Sequence, residues 1–341
     1  MPVKSLYYIL VLTLCLSCKN EKYNYNPPVF PIHQEAVTKI LTSDVMFYNY
    51  QQPLLVDSIL IIPDVNRDTM LFFYNIHSGE LIKNIGIQGK GPGELTLPTN
   101  FSMNYSRKIL HIFDYAKKSV IRYNIKRILN DTPPFFDELS LSAPLLEEGS
   151  VCFLRDSLYL SSNNMHRLVI ATTRHGVETN DDYFPLPAMT PRLWNTFLQS
   201  WSGYSTNPSG DKYVCATSLG GIIEIYNLVP EIKLSKRLLF FEPLFTHDRN
   251  KIVPAPEAIY GFRSLFASDH YIYATVFAKQ NPTRYPDLIW LFDWEGNPIA
   301  SIKCPYEISN FTVDENNKKI YAITYNSERE ESITVLDYGS N

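Results

Sequence analysis

Gly86-Ile-Gln-Gly-Lys-Gly-Pro-Gly-Glu94 is the stretch whose residue types come closest to a phosphate cradle. Such a cradle needs converging backbone N–H groups, usually at a helix N-terminus. Glycines alternate here at 89, 91 and 93, Lys90 is followed by Gly91, and Leu95-Thr-Leu-Pro98 offers no helix start. Neither the dinucleotide fingerprint nor the P-loop is present. The spacing instead predicts a tight connection, with glycines at positive φ and Pro92 fixing its own backbone. Lys90 and Glu94 are its candidate ligand contacts, because connecting loops on rigid scaffolds often carry function.

Other chemistry is sparse. The seven histidines show no H-x-x-H spacing and there is no Gly-x-Ser-x-Gly elbow. Ser209-Gly-Asp-Lys212 fits Ser-x-x-Lys but lies in a Pro-Ser-Gly-Asp stretch that reads as a turn. Asp57, Asp114, Asp293 and Asp337 are the carboxylates that would have to converge for a divalent-cation hydrolase or lyase. Basic residues recur at predicted turns, namely Arg67, Lys117 with Lys118, Arg167, Arg284 and Arg329, and with Lys90 they would give one face a positive rim. Tyr183, Phe184, Trp194, Phe197, Trp201 and Tyr204 fill the longest connection, where Trp194 and Trp201 are candidate platforms for a sugar or peptide. Pro191-Arg-Leu-Trp-Asn-Thr-Phe-Leu198 within it reads as a short helix.

The elements that must position these residues are strands. Tyr (23) and Phe (19) are abundant, and 23 Pro with 14 Gly imply frequent turns. Pairs of apolar runs recur six times: Ser58–Asp64 with Met70–Ile76, Ile109–Asp114 with Ser119–Ile125, Ser157–Ser162 with Arg167–Thr173, Lys212–Thr217 with Ile222–Asn227, Tyr271–Phe277 with Leu288–Gly296, and Lys319–Tyr325 with Ser332–Tyr338. The step averages about 52 residues, a spacing of propeller blades with variable loops. Candidate innermost strands precede five pairs, at 53–57, 100–104, 203–207, 261–266 and 308–313. The last copy has no room for an outermost strand, so Lys39–Tyr48 is expected to supply it and close the ring. The fold expected is all-β, a six-bladed β-propeller of four-stranded antiparallel blades closed by an N-terminal strand.

The first residues read as an export signal. Lys4 precedes a short apolar run, Leu6–Leu16, well below the ~20 residues of a membrane span. Cys15-Leu-Ser-Cys18 followed by Lys19-Asn-Glu21 resembles a bacterial lipoprotein signal with Cys18 as the lipidated residue, though Cys15 departs from the usual Leu; an ordinary secretory signal with an incidental cysteine is the alternative. The domains expected are a signal at 1–17, the lipidated cysteine and tether at 18–36, and the propeller at 37–341. Cys152, Cys215 and Cys304 remain, each in a strand-like run and expected to be buried thiols.

The lipoprotein-type start, the six-fold pattern and Gly89-Lys-Gly-Pro-Gly-Glu94 together resemble the TolB-like six-bladed β-propeller lipoproteins of Bacteroidetes. The resemblance implies a propeller fold and a place in the bacterial cell envelope, on the periplasmic face of the outer membrane or the cell surface. It transfers no catalytic residues. A net charge of −4 gives no basis for nucleic-acid binding. The reading is a monomeric, lipid-anchored binding scaffold for an envelope protein or glycan, with no cofactor, in preference to a metal-dependent enzyme.

Overall fold

Every residue of Ile59–Pro63 is buried, because successive side chains enter two different interiors. Ile59 and Ile61 pack with Met103 and Leu110, whereas Leu60 and Ile62 pack with Tyr321 and Ile323. Side chains alternate across a strand, so a sheet packed on both faces needs a continuous apolar run where a half-solvated strand would show alternation.

The computed structural model describes residues 23–141, 145, 151–161, 168–173, 176–180, 202–248 and 251–339. Strands β1 (Ile32–Glu35) and β2 (Val37–Thr42) come first. Blade one is β3 (Leu54–Val56), β4 (Ile59–Pro63), β5 (Thr69–Asn75) and β6 (Leu81–Ile87). Blade two is β7 (Pro98–Asn104), β8 (Ile109–Asp114), β9 (Ser119–Asn124) and β10 (Phe136–Ser140), with helix α1 (Ile125–Leu129) before its last strand. Blade three is β11 (Val151–Arg155), β12 (Leu158–Ser161), β13 (Leu168–Ala171) and β14 (Gly176–Asn180). Blade four is β15 (Ser202–Thr206), β16 (Lys212–Thr217), β17 (Gly221–Asn227) and β18 (Lys233–Phe241), followed by a separate hairpin of β19 (Phe245–Asp248) and β20 (Lys251–Pro254). Blade five is β21 (Tyr260–Ala267), β22 (Tyr271–Lys279), β23 (Leu288–Asp293) and β24 (Pro298–Lys303). Blade six is β25 (Glu307–Asp314), β26 (Lys319–Tyr325) and β27 (Glu331–Asp337), completed by β2.

Apolar clusters fill all the junctions between neighbouring blades. Met70 and Phe73 meet Tyr123 between blades one and two; Phe113 meets Phe153 and Val169 between two and three. Leu160 meets Tyr226 between three and four, and Phe240 meets Phe262 and Trp290 between four and five. Ile302 meets Phe311 between five and six, and Phe72 and Tyr74 meet Ile333 between six and one. The last junction closes the ring, and β2 pairs antiparallel with β27 as the outermost strand of blade six. The closing strand thus comes from the N-terminal segment as expected, but as Val37–Thr42 in place of 39–48, overlapping it only over 39–42.

The preceding segment is more than a tether. β1 pairs parallel with β24, giving blade five a fifth strand. Phe30 is buried against Trp290 (5.3 Å between centroids) and Phe292 (5.6 Å), and the Asn26 N–H donates to the Leu239 carbonyl at 2.9 Å. Residues 26–42 thus strap across the outer edges of blades four, five and six.

His111 is buried at the junction of blades two and three, stacked on Phe153 at 4.1 Å with Nδ1 3.1 Å from the Tyr159 hydroxyl. Burial, helped by the nearby Arg122 charge, holds its pKa down to about 3. The unfolded chain therefore binds a proton in a window where the native chain does not, so stability is full above pH ~6.5 and falls as the pH drops toward 3. Between pH 7.5 and 5 this one group is expected to remove about 2 kcal/mol. Urea unfolding of wild type and His111→Phe at both pH values checks it; an unchanged pH difference in the variant would count against the assignment.

Candidate functional site

Apart from the N-terminal strands β1 and β2 added at the outer edges of blades five and six, each blade runs from its inner to its outer strand in chain order. The connections between blades therefore share one face with the turns between second and third strands, and the candidate residues gather there. The loop after β6 is fastened to blade two. The Gly91 N–H donates to Glu94 Oε2 at 2.7 Å, Lys117 Nζ donates to the Gly91 carbonyl at 2.7 Å, and the Tyr123 hydroxyl donates to the Gly93 carbonyl at 2.5 Å. Gly86 and Gly93 take positive φ (80° and 71°), as the spacing implied. Gly89 and Gly91 lie outside that region and are glycine for another reason. A Cβ on Gly89 would sit 2.0 Å from Glu94 Oε2, and one on Gly91 3.0 Å from it. Gly-x-Gly-Pro-Gly-Glu is thus a loop folded around its own glutamate.

The rim residues divide by partner. Arg67 donates to Asp64 Oδ2 at 3.1 Å and lies over the Tyr48 ring at 4.8 Å. Lys117, besides its carbonyl, is 3.8 Å from Glu138, and Arg329 is 2.8 Å from Glu307. Lys90 stands exposed, without a partner among the described residues. Arg284 lies over Tyr285 (5.0 Å) and Tyr325 (5.6 Å), which stack on each other at 5.2 Å, and has no carboxylate partner among the described residues. Tyr325 in turn donates to Glu331 and sits 3.0 Å from the Tyr50 hydroxyl, which donates to Ser309 Oγ at 2.6 Å. Burial pushes the Tyr50 and Tyr325 hydroxyls above the ordinary tyrosine range, so both stay protonated as donors. Arg167, Trp194, Trp201, the helix expected at 191–198 and Cys18 lie outside the described residues.

The inner strands enclose a channel of about 320 Å³. Two side chains reach across it between blades that are not neighbours. Asn100 on β7 donates from Nδ2 to the Tyr204 hydroxyl on β15 at 2.8 Å, and Gln52 donates to the Leu265 carbonyl on β21 at 2.9 Å. Asn100 is 8% exposed and its Oδ1 has no partner. Among the described residues lining the channel Arg263 is the single charged one; it is exposed and rests 5.6 Å over the Tyr285 ring. Arg263 and Asn100 were not singled out from the sequence, although the signal was there. Asn100-Phe-Ser-Met-Asn104 and Tyr204-Ser-Thr-Asn207 interleave polar residues where second and third strands are solidly apolar.

The four candidate carboxylates do not meet. Asp57 sits in the β3–β4 turn bonded to Lys108. Asp114 is fully buried and accepts the N–H groups of Thr96 (2.6 Å), Leu97 (3.2 Å), Ala116 (3.1 Å) and Lys117 (3.1 Å). Asp293 accepts the Asn297 N–H at 2.7 Å and Asp337 that of Gly339 at 2.9 Å. Ser209 lies in the turn between β15 and β16, its N–H donating to Asp269 Oδ1 at 3.0 Å. Cys152, Cys215 and Cys304 are buried and form no disulfide among the described residues, and burial pushes the Cys152 and Cys304 thiols up to about 12, so neither is poised as a thiolate.

Fold and face together define a six-bladed β-propeller with a polar channel. The chain belongs to the TolB-like 6-blade propeller-like family, whose model matches residues 32–316. Among solved structures it is similar to a Bacteroides fragilis protein whose name describes it as exported (14% identity, TM-score 0.54, covering 89% of this chain and 98% of that one). It is similar also to a DUF4221-family protein of Bacteroides vulgatus (9%, TM-score 0.54, 89% and 96%). A gluconolactonase of Xanthomonas campestris shares the architecture as well (10%, TM-score 0.51, 89% of each chain). At these identities the likeness is one of fold, and a propeller by itself selects no function. No match to the sequence was found among curated proteins.

Proposed function

We propose that this chain is a non-catalytic binding lipoprotein of the bacterial envelope, anchored through Cys18, whose propeller offers its channel mouth to a glycan or another envelope component. The observation that carries the reading is the channel itself. It is a pre-formed concave site of about 320 Å³ with hydrogen-bonding groups at its wall and, among the described residues, no carboxylate in its lining. The Bacteroides fragilis protein of the same fold, whose name describes it as exported, supports an address beyond the cytoplasm. The strap over blades four to six leaves only the few residues between Cys18 and Asn26 as the link to a lipid, which would hold the domain close to the membrane surface.

Two measurements on the full-length protein test this. Metabolic labelling with an alkyne fatty acid is expected to mark the wild type in the membrane fraction and to miss Cys18→Ala entirely. Native mass spectrometry of protein purified from envelopes is expected to show a bound species small enough for the channel. Labelling that persists in Cys18→Ala would refute the anchor, and uniformly empty protein would refute the binding role.

A further inference from the structure

We infer that the channel mouth is built for a small hydroxylated carboxylate of the sugar-acid class, its carboxylate on Arg263 and a hydroxyl on Asn100. The inference deepens the binding role proposed above and rests on the channel being the site. Two independent features specify the ligand. Among the described residues Arg263 is the single charge lining the channel, and it has no carboxylate partner there, only the Tyr285 ring at 5.6 Å. A guanidinium is a rigid fork of donors matched to a planar carboxylate. Its neighbour on that rim, Arg284, lacks a carboxylate as well and leans on the same tyrosine pair. By contrast, Arg67, Lys117 and Arg329 are each set against an acid. Arg263 thus stands at the channel wall without an acidic partner among the described residues, in a chain whose net charge is −4.

The second feature is Asn100. Its amide is held by donating to Tyr204, leaving Oδ1 buried and unpartnered at the channel wall. A buried acceptor without a donor costs free energy, and a ligand hydroxyl would satisfy it. An anion alone would leave Asn100 unsatisfied, and a neutral sugar would leave Arg263 without a counter-charge. A sugar acid carries both groups. The volume of about 320 Å³ lies at the small end for ligand sites, suited to one or two sugar units and not to a polymer threaded through. Gln52 and Asn310 add further polar groups at the wall.

Calorimetric titration of the full-length, detergent-solubilised protein with D-glucuronate, D-glucose, acetate and inorganic phosphate tests this. Glucuronate is expected to bind about tenfold or more tightly than the other three. Arg263→Gln is expected to weaken it about 10- to 100-fold, the loss of a charge-assisted hydrogen-bonded pair. Arg263 is exposed, so that variant should keep the wild-type melting temperature, and Arg329→Gln on the same face should bind like wild type. Asn100→Leu should weaken glucuronate and leave acetate unchanged. Phosphate or acetate binding as tightly as glucuronate overturns the hydroxylated class. Glucose binding that survives Arg263→Gln but not Asn100→Leu overturns the charged ligand and leaves the channel as a binding site. Binding by none of the four probes, with no bound species in native spectra, overturns both.

Discussion

A chain that begins at Gln51 is expected to lose cooperative unfolding altogether. The deletion takes the closing strand β2 from β27, leaving a row of unpaired backbone groups on a sheet edge. It also removes Phe47 and Tyr50 from the cluster joining blades six and one, and Phe30 from the cluster joining blades four and five. Asp64, fully buried, would lose the N–H groups of Tyr48 (3.0 Å) and Asn49 (2.8 Å) that it now accepts. Against a total stability of about 5–15 kcal/mol for an ordinary domain, losses at two blade junctions and one capped carboxylate are of the same order as the whole. A chain beginning at Val37 keeps β2 and loses Phe30 and β1. It should fold with a deficit of about 3–5 kcal/mol, as for removal of a buried aromatic. Urea titration followed by far-UV circular dichroism separates the three chains. A soluble chain from Gln51 that melts in one step at the wild-type midpoint would show that the ring does not depend on its strap.

The strap also marks the limit of what could be read from residues alone. The blade pairs were legible because both of their faces are buried, which writes an uninterrupted apolar run such as Leu288-Ile-Trp-Leu-Phe292. The closing strand was legible by counting, since blade six ends without an outer strand. Residues 26–35 were not, because Asn-Pro-Pro composition reads as a linker and their partners are more than 200 positions away; the single apolar residue that matters, Phe30, has no periodic neighbours. The run around Cys152 reads as a strand but not as β11, the innermost strand of blade three, and the β19–β20 hairpin was missed, for the related reason that short runs beside long connections carry little pattern. The glycine loop was located correctly and its fastening was not. That Glu94 fills the space over Gly89 and Gly91 depends on how the chain turns, which spacing does not encode. The channel wall was written in the sequence as polar interruptions of the inner strands, yet which polar groups face one another, Asn100 and Tyr204 above all, is set by blades two and four meeting across an axis.

Replacing Asp114 with alanine is expected to cost about 3–5 kcal/mol, several times a typical surface substitution. The reason lies in what the carboxylate does. From the end of β8 it accepts N–H groups on both sides of the rim, Thr96 and Leu97 from the incoming connection and Ala116 and Lys117 from its own turn. Asp64 repeats the arrangement at the end of β4, accepting Tyr48 and Asn49. In each case one buried anion is stabilised by several backbone dipoles, and without it those donors stay buried with no acceptor. Asp114→Asn keeps one oxygen and the shape, so it should lose less, about 1–2 kcal/mol. Because Thr96 also holds the Gly89 carbonyl at 2.6 Å, the damage should spread into the glycine loop. Amide exchange at residues 88–97 is expected to quicken in Asp114→Ala, while exchange in blade five stays at its wild-type rate. The same substitution decides between a cap and a metal ligand. A cap predicts a stability loss that added calcium does not change and that Asp114→Asn shares in part. A wild-type melting temperature that climbs with calcium, and a variant blind to it, would return the carboxylates to the catalytic reading.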